Sequence, residues 1–289
     1  MVQGKSALLL VGAVVAVWMV AVGPRFPGGA SSAESQPQAT DHDAVPNRVM
    51  TWNICNPCKS GETDLAAEIA ALAPQVIGLQ ESCTGEVERI RNYLKSRHGL
   101  DYHVEYGTVL RSWGRCGGAP WKPGGYGEAI LSAAPMTDAV AVEYPDGGSE
   151  DRGYMAVTTK VGGRQVRVFN THLAERRQES VRAEQVDVLA KAVARHHSAI
   201  VMGDFNAVPY ASELGPMWRL ATDTDPKCRP SSAEGCKPTT DWQSKFDYIF
   251  LRGVDARGHH VRPSAYSDHH MLYTDLAPDK AGRAKAGSS

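Results

Sequence analysis

The sequence lacks an excess of either charge. Lys and Arg together number 31 and Asp and Glu 32, leaving a formal charge of -1 over 289 residues. No chain-wide basic field therefore exists to drive sequence-independent binding to polyanions, and any such partner must be gripped locally. No internal repeat is visible, and the strand-like and helix-like runs lack the strict alternation that a doubly wound parallel sheet requires. Cys55 and Cys58 form a CxxC, yet no second CxxC or nearby His pair completes a tetrahedral zinc set. Turn formers, by contrast, are plentiful: 28 Gly and 17 Pro suit many short strands better than a helical bundle. With 42% hydrophobic and 22% charged residues the composition is that of a soluble globular protein, which excludes disorder or a fibre for the bulk of the chain.

The two ends differ from the rest. Lys5 is followed by an uncharged run over residues 6–24. Its apolar part, residues 7–22, is long for a signal-peptide core and short for a membrane span of about 20 residues. Residues 1–24 read as a signal peptide or as a retained N-terminal membrane anchor, and both readings predict export: a secreted or extracytoplasmic protein, membrane-anchored in the second case. Residues 25–46, rich in Ser, Pro, Gly, Gln and Ala, read as a flexible linker, residues 278–289 as a disordered tail, and residues 47–277 as the domain. Six cysteines, Cys55, Cys58, Cys83, Cys116, Cys228 and Cys236, fit an exported protein that uses disulfides. The firmest pairing joins Cys228 to Cys236 across a loop with no core pattern, and the other four stay open.

Strands are predicted over residues 48–54, 76–80, 103–106, 128–132, 154–161, 165–172, 199–203, 248–252 and 271–276. Gly162 and Gly163 join two of these as a hairpin. Helices are predicted over residues 64–72, stopped by Pro74, over 86–97 and over 180–196, the last with Val181, Gln185, Val188, Leu189 and Ala192 on one stripe. Strands on both sides of helices without regular crossover order argue for two packed sheets with helices outside.

Polar residues stand where these apolar strands end. Asn53, Glu81, His172, Asp204 and Asn206 follow strands, while Asp247, Asp268 and His269 precede them. Each alone has an ordinary reading as a turn or cap residue. Together, acidic, amide and imidazole groups at strand ends would converge at one end of a sheet stack, where a site needs them.

The stretches TWN (51–53), GLQES (78–82), YGEAILSAAPM (126–136), FNTHL (169–173), GDFNAVP (203–209), FDYIF (246–250) and SDHH (267–270) resemble the motifs of the endonuclease/exonuclease/phosphatase family, in that family's order. Each is weak alone and the ordered series is specific. The resemblance implies an α/β fold, a four-layered sandwich of two mixed β-sheets flanked by helices. It also implies a metal-dependent phosphoric ester hydrolase. By position, Glu81 would be the primary ligand of Mg2+ or Mn2+, with Ca2+ as a further candidate, Asn53 beside it and Asp268 completing the shell. His269 would be the general base, oriented by Asp247; Asp204 and Asn206 would hold the nucleophile and a phosphate oxygen; His172 would stabilise the transition state or protonate the leaving oxygen. Glu128 and Arg152 match a Glu and a phosphate-contacting Arg of the pancreatic-type deoxyribonucleases, which implies a Glu128–His172 dyad; the competing reading of Glu128 is a surface strand residue. Cys55 stands where the abasic-site endonucleases carry an Asp, so their second metal carboxylate is missing.

The substrate expected first is nucleic acid, acted on by a monomer. A phosphatase comes next, then a sphingomyelinase-like phospholipase, and last a noncatalytic surface-binding module. Arg111, Trp113, Arg115, Trp121 and Lys122 lie in a Gly-rich loop that would line a phosphate-backbone groove, or else form a disulfide-tied surface loop.

Overall fold

Alternation along the strands decides the layering. The computed structural model describes residues 43–55, 58, 61–175 and 177–278. The targeting segment, most of the linker and nearly all of the tail expected from sequence lie outside the described residues. In chain order the elements are β1 (Val45–Asn53), α1 (Glu62–Leu72), β2 (Pro74–Cys83), α2 (Thr84–His98), β3 (His103–Arg111), α3 (Trp113–Cys116), β4 (Gly118–Ala119), β5 (Lys122–Pro123), β6 (Gly125–Ser132), β7 (Thr137–Glu143), β8 (Gly153–Val161), β9 (Arg164–His172), α4 (Glu179–Val193), β10 (Ala199–Asp204), α5 (Gly215–Leu220), β11 (Thr222–Asp223), β12 (Asp247–Arg252), β13 (His260–Arg262) and β14 (Met271–Asp275).

Two six-stranded sheets form, ordered β13-β14-β1-β2-β6-β3 and β11-β12-β10-β9-β8-β7, with a separate β4-β5 ribbon. Both are mixed: β1 runs parallel to β2 and β9 parallel to β10, among antiparallel neighbours. Period-2 side chains split each strand between two faces. Val49, Val76, Ile130, Val168, Ile200 and Ile249, from both sheets, share one core between them. The alternate residues Met50, Trp52, Ile77 and Leu79 pack outward against Leu65 and Ile69 of α1 and Ile90 of α2. On the other sheet Phe169, Val201 and Tyr248 pack against Val186 and Leu189 of α4 and Met217 of α5. This is the helix-sheet-sheet-helix sandwich expected.

Two expectations need correction, and the structure adds one strand and two disulfides to them. The linker ends earlier than residue 46, because Val45 and Pro46 already belong to β1, whose Val45 N–H donates to Ala73 O at 2.7 Å. The α4 stripe is rotated by about one position: Arg182, Gln185, Val186, Leu189, Ala190 and Val193 are buried, and Arg182 is admitted by its ion pair with Glu213 at 2.8 Å. Strand β7 was not anticipated, since this edge strand is exposed along nearly all of its length and shows no apolar face. The cysteine pairs left open resolve as Cys55–Cys58 and Cys83–Cys116, beside the expected Cys228–Cys236, with no free cysteine among the described residues. No helix among the described residues is long and apolar enough to cross a membrane.

Candidate active site

The core between the sheets is apolar in its middle and turns polar at one end, on the same side-chain parity. In β1 the inward series runs Val49, Thr51, Asn53; in β9 Val168, Asn170, His172; in β10 Ile200, Met202, Asp204; in β12 it ends at Asp247 before Ile249. Register aligns them: Asp204 is paired with His172 on one side and with Asp247 on the other. Gly203, with φ of 142°, permits this; a Cβ there would lie 1.9 Å from Thr171 O.

Glu81 breaks the parity rule. As the residue after inward-facing Gln80, it should face the helices. Its left-handed φ of 52° and the register shift between Leu79 and Ser82 redirect it. Its Oε1 then accepts a hydrogen bond from Asn53 Nδ2 at 3.0 Å, and the same amide nitrogen donates to Asp204 Oδ2 at 3.1 Å. Asn206, also left-handed at φ 49°, donates its N–H to Asp204 Oδ1 at 2.8 Å and its Nδ2 to His172 Nε2 at 3.1 Å. Such backbone outliers gather where surrounding structure holds them for function.

His269 reaches this ring from the loop before β14. Its Nδ1 donates to Asp247 at 2.9 Å, and its Nε2 lies 3.6 Å from Asp204 Oδ2. Burial opposes charge on this imidazole, but Asp247 and Asp204 outweigh it and push the pKa up to about 10. His172 is the opposite case: burial, then Arg152 and His269, hold it well below the ordinary value, so its ring is neutral. Burial pushes the Asp204 carboxyl up to about 7, with His269 opposing and Asp247 reinforcing. It raises Glu81 as well, against the pull of Asn53, Arg152 and His269.

The structure therefore brings together Asn53, Glu81, His172, Asp204, Asn206, Asp247 and His269. Arg152 is buried beside them, paired with Glu150, and its Nε has no hydrogen-bond partner among the described residues. Glu128 is not the surface residue of the competing reading: it is buried on the inward face of β6. The Glu128–His172 dyad is not formed either, since no hydrogen bond or ion pair joins the two and Glu128 Oε2 is unpartnered. Burial, opposed by Arg152, pushes Glu128 up to about 8. No hydrogen bond or ion pair joins Asp268 to Glu81 or Asn53; it is exposed, its carboxylate lies within 4.8 Å of the Cys55 and Cys58 sulfurs, and its charge helps to raise the His269 pKa.

Several supporting residues had no role assigned from sequence. Asn170 Nδ2 donates to Leu79 O at 2.9 Å and to Ala129 O at 3.0 Å, and its Oδ1 accepts from Gln80 at 2.6 Å, so one buried amide ties the sheets together below the ring. Gly78 leaves it room, as a Cβ there would meet Asn170 Oδ1 at 2.8 Å. Thr239 Oγ1 accepts from the N–H groups of Phe246 and Asp247, Ser267 Oγ accepts from His269 N–H, and Trp52 Nε1 donates to His269 O at 3.0 Å. Trp242 sets its ring edge-on to His269, centroids 5.4 Å apart. The quoted motifs contain Asn170, Gln80, Ser267 and Trp52, so their signal was present without a partner to interpret it. Beside Asn206 opens a cleft of about 510 Å³, lined in part by Arg177, Tyr210 and Phe246.

The donor set is hard: carboxylate oxygens at Glu81 and Asp204, bridged by the Asn53 amide nitrogen while the Asn53 amide oxygen accepts from the Cys55 N–H, with Asp204, Asp247 and His269 close enough together to share an ion. Buried carboxyls whose protons are held this firmly are under-compensated, and a small divalent cation fits them.

Residues 50–269 match the sequence model of the Endonuclease/Exonuclease/phosphatase family. Among solved structures, an endonuclease/exonuclease/phosphatase from Beutenbergia cavernae DSM 12333 aligns with a TM-score of 0.66 at 24% identity, over 80% of this chain and 71% of its own. D. rerio TDP2 complexed with single strand DNA product aligns at 0.62 and 19% identity, over 80% of this chain and 98% of its own. The human Nocturnin catalytic domain with bound sulfate anion aligns at 0.62 and 23%, over 82% of this chain and 95% of its own. At these identities the likeness is one of fold. No curated protein sequence matches the chain.

Proposed function

The chain belongs to the endonuclease/exonuclease/phosphatase family, and from that premise we propose that it is an exported, divalent-metal-dependent nuclease that hydrolyses phosphodiester bonds by attack of water. Convergence of Asn53, Glu81, His172, Asp204, Asp247 and His269 at one end of the sandwich carries this reading. Glu81 would hold the cation, with Asn53 and Asp204 beside it, and Mg2+ or Mn2+ suits these oxygens best, with Ca2+ as a further candidate. When bound, such an ion would neutralise charge growing on the nonbridging phosphate oxygens.

The remaining work falls to side chains. Asp247 holds the Nδ1 proton of His269, so Nε2 is the atom that exchanges a proton with the attacking water. Asp247 and, after it, Asp204 keep that imidazole charged, so engaging Asp204 elsewhere would ease loss of the Nε2 proton while the Asp247 contribution remains. His172, neutral with its Nε2 accepting from Asn206, would offer a hydrogen bond to a phosphate or leaving-group oxygen once the ring proton moves to Nε2 and Asn206 gives way. Arg152, with its unpartnered Nε, supplies fixed positive charge beside Glu81. Glu128, without a bond to His172, and Asp268, exposed beside the Cys55–Cys58 bridge, are given no part in this reading.

Three disulfides are compatible with an oxidising compartment, which supports export. Residues 1–24 would direct it, and the mature domain would act as a monomer. Assay of the purified domain on DNA, RNA, sphingomyelin and a generic phosphodiester, with Mg2+ and with chelator, tests the proposal. Cleavage of sphingomyelin or of monoesters alone would favour the phospholipase or phosphatase alternatives. Inertness toward every ester would leave the noncatalytic module.

A further inference from the structure

Residues 111–125, from the last residue of β3 to the first of β6, carry Arg111, Arg115 and Lys122 and no acidic residue, a local basic island in a chain of formal charge -1. Trp121, in the turn of the β4-β5 ribbon, is 87% exposed, and Trp113, the first residue of α3, is 57% exposed. These indoles are displayed on a rooted frame. Cys116 is bonded to Cys83, two residues past Glu81. Ser112 N–H donates to Gly124 O at 3.0 Å, and Gly125 N–H to Thr84 Oγ1 at 3.3 Å. Arg115 lies 4.3 Å over the Tyr126 ring and pairs with Glu150, which also pairs with Arg152. The root of the segment is thus wired into the site, while Trp113, Trp121, Arg111 and Lys122 are left at its surface.

We propose that this segment is a stacking platform for single-stranded nucleic acid, with Trp113 and Trp121 receiving bases and Arg111 and Lys122 the adjoining phosphates. The inference rests on the nuclease reading and narrows its substrate to single strands. A single strand presents the π-faces of its bases, which a duplex hides, and tryptophan with nearby cations is the pairing that such strands select. A membrane surface fits less well. Residues 112–125 contain no Leu, Ile, Val, Met or Phe, so there is little aliphatic area to bury in a bilayer, whereas stacking needs only flat rings. The disulfide keeps the platform ordered before the strand arrives, which lowers the ordering cost of binding.

The test uses the whole domain. In chelator, quenching of tryptophan fluorescence is titrated with oligo(dT), with a duplex of equal length and with vesicles of anionic phospholipid. With Mg2+, kcat/KM is compared on the same oligonucleotides and on bis(p-nitrophenyl) phosphate. Oligo(dT) should bind tighter than duplex, and Trp113→Ala/Trp121→Ala should weaken it by about tenfold or more, from the typical worth of one stacked base. The double variant should lose far more kcat/KM on oligo(dT) than on the small diester, through KM, and Trp113→Tyr/Trp121→Tyr should restore most of the loss. Equal binding of duplex and single strand, an unchanged double variant, or binding to vesicles but not to oligo(dT) would each overturn the platform. If oligo(dT) binds through these tryptophans but no nucleic acid is cleaved, the platform stands and the nuclease reading fails. If nucleic acid is cleaved equally well by the double variant, the reverse holds.

Discussion

Glu128→Gln isolates the cost of a buried carboxyl. Glu128 is 3% exposed on the inward face of β6, its Oε2 is unpartnered, and burial raises its pKa from 4.5 to about 8 although Arg152 pulls the other way. In the unfolded chain this group ionises near its ordinary value, so between pH 4.5 and 8 the folded protein holds a proton that the unfolded one has released. Stability must therefore fall as pH rises through that window, and above it the full penalty persists. At 1.36 kcal/mol per unit the shift amounts to about 5 kcal/mol. Gln cannot ionise, so the variant escapes the penalty. Its stability relative to the wild type should be nearly flat below pH 4.5, climb across the window and level off above pH 8. Urea melts of both proteins at pH 4.5, 7 and 9 measure this, and the difference between them cancels every other titrating group. A difference that is constant with pH, or that shrinks as pH rises, would refute the assignment of a neutral buried acid.

Glu81→Gln should weaken divalent-ion binding in calorimetry and lower turnover by at least about a hundredfold, through lost electrostatic stabilisation; full activity in excess chelator would contradict it. His269→Ala should remove most turnover while circular dichroism stays native, and Asp247→Asn should cost less, because the imidazole remains although its orientation is lost. A wild-type pH-rate profile in His269→Ala would be incompatible with the base role. Cys228→Ser/Cys236→Ser opens a link of sequence separation 8 and should cost about 2–3 kcal/mol of stability in the chain-entropy model, with a smaller effect on rate; alkylation of either cysteine in the native protein would refute the pairing.

The sandwich was legible because its cause is local. The alternating run of residues 165–172 and the continuous apolar run of residues 199–203 announce their strands, and the polar residue at each end announces where the apolar core stops. Elements with no contrast between faces were not legible, as β7 illustrates. The rotated α4 stripe has a different origin: hydropathy assigns Arg182 outward, and Glu213, 31 residues away, together with the Ala174 and Glu175 carbonyls reverses that. Side-chain partnership was the least legible property. Strict alternation sends Glu81 to the helix side, and nothing in GLQES announces the left-handed residue that turns it back. Glu128 matched by position, yet its carboxyl and the His172 ring make no bond. Asp268 adjoins His269 in sequence, but the turn that points one inward leaves the other exposed beside the Cys55–Cys58 bridge.

Neither sheet contains the site by itself. Asn53 and Glu81 come from one, and His172, Asp204 and Asp247 from the other, so the distances that matter depend on how the sheets are stacked. Two amides span that gap. Asn170 reaches from β9 to the carbonyls of Leu79 and Ala129 and to Gln80, fixing the spacing just below the ring. Asn53 reaches from β1 to Asp204 while holding Glu81, fixing it within the ring. An apolar core alone tolerates small sliding, because dispersion is non-directional; buried amides with satisfied donors do not, since a slip of an ångström leaves polar groups unpaired at about 1–3 kcal/mol each. The amides at the polar end of an otherwise oily interface thus convert a packing contact into a registered one, and carboxylates from two sheets can then converge on a common point.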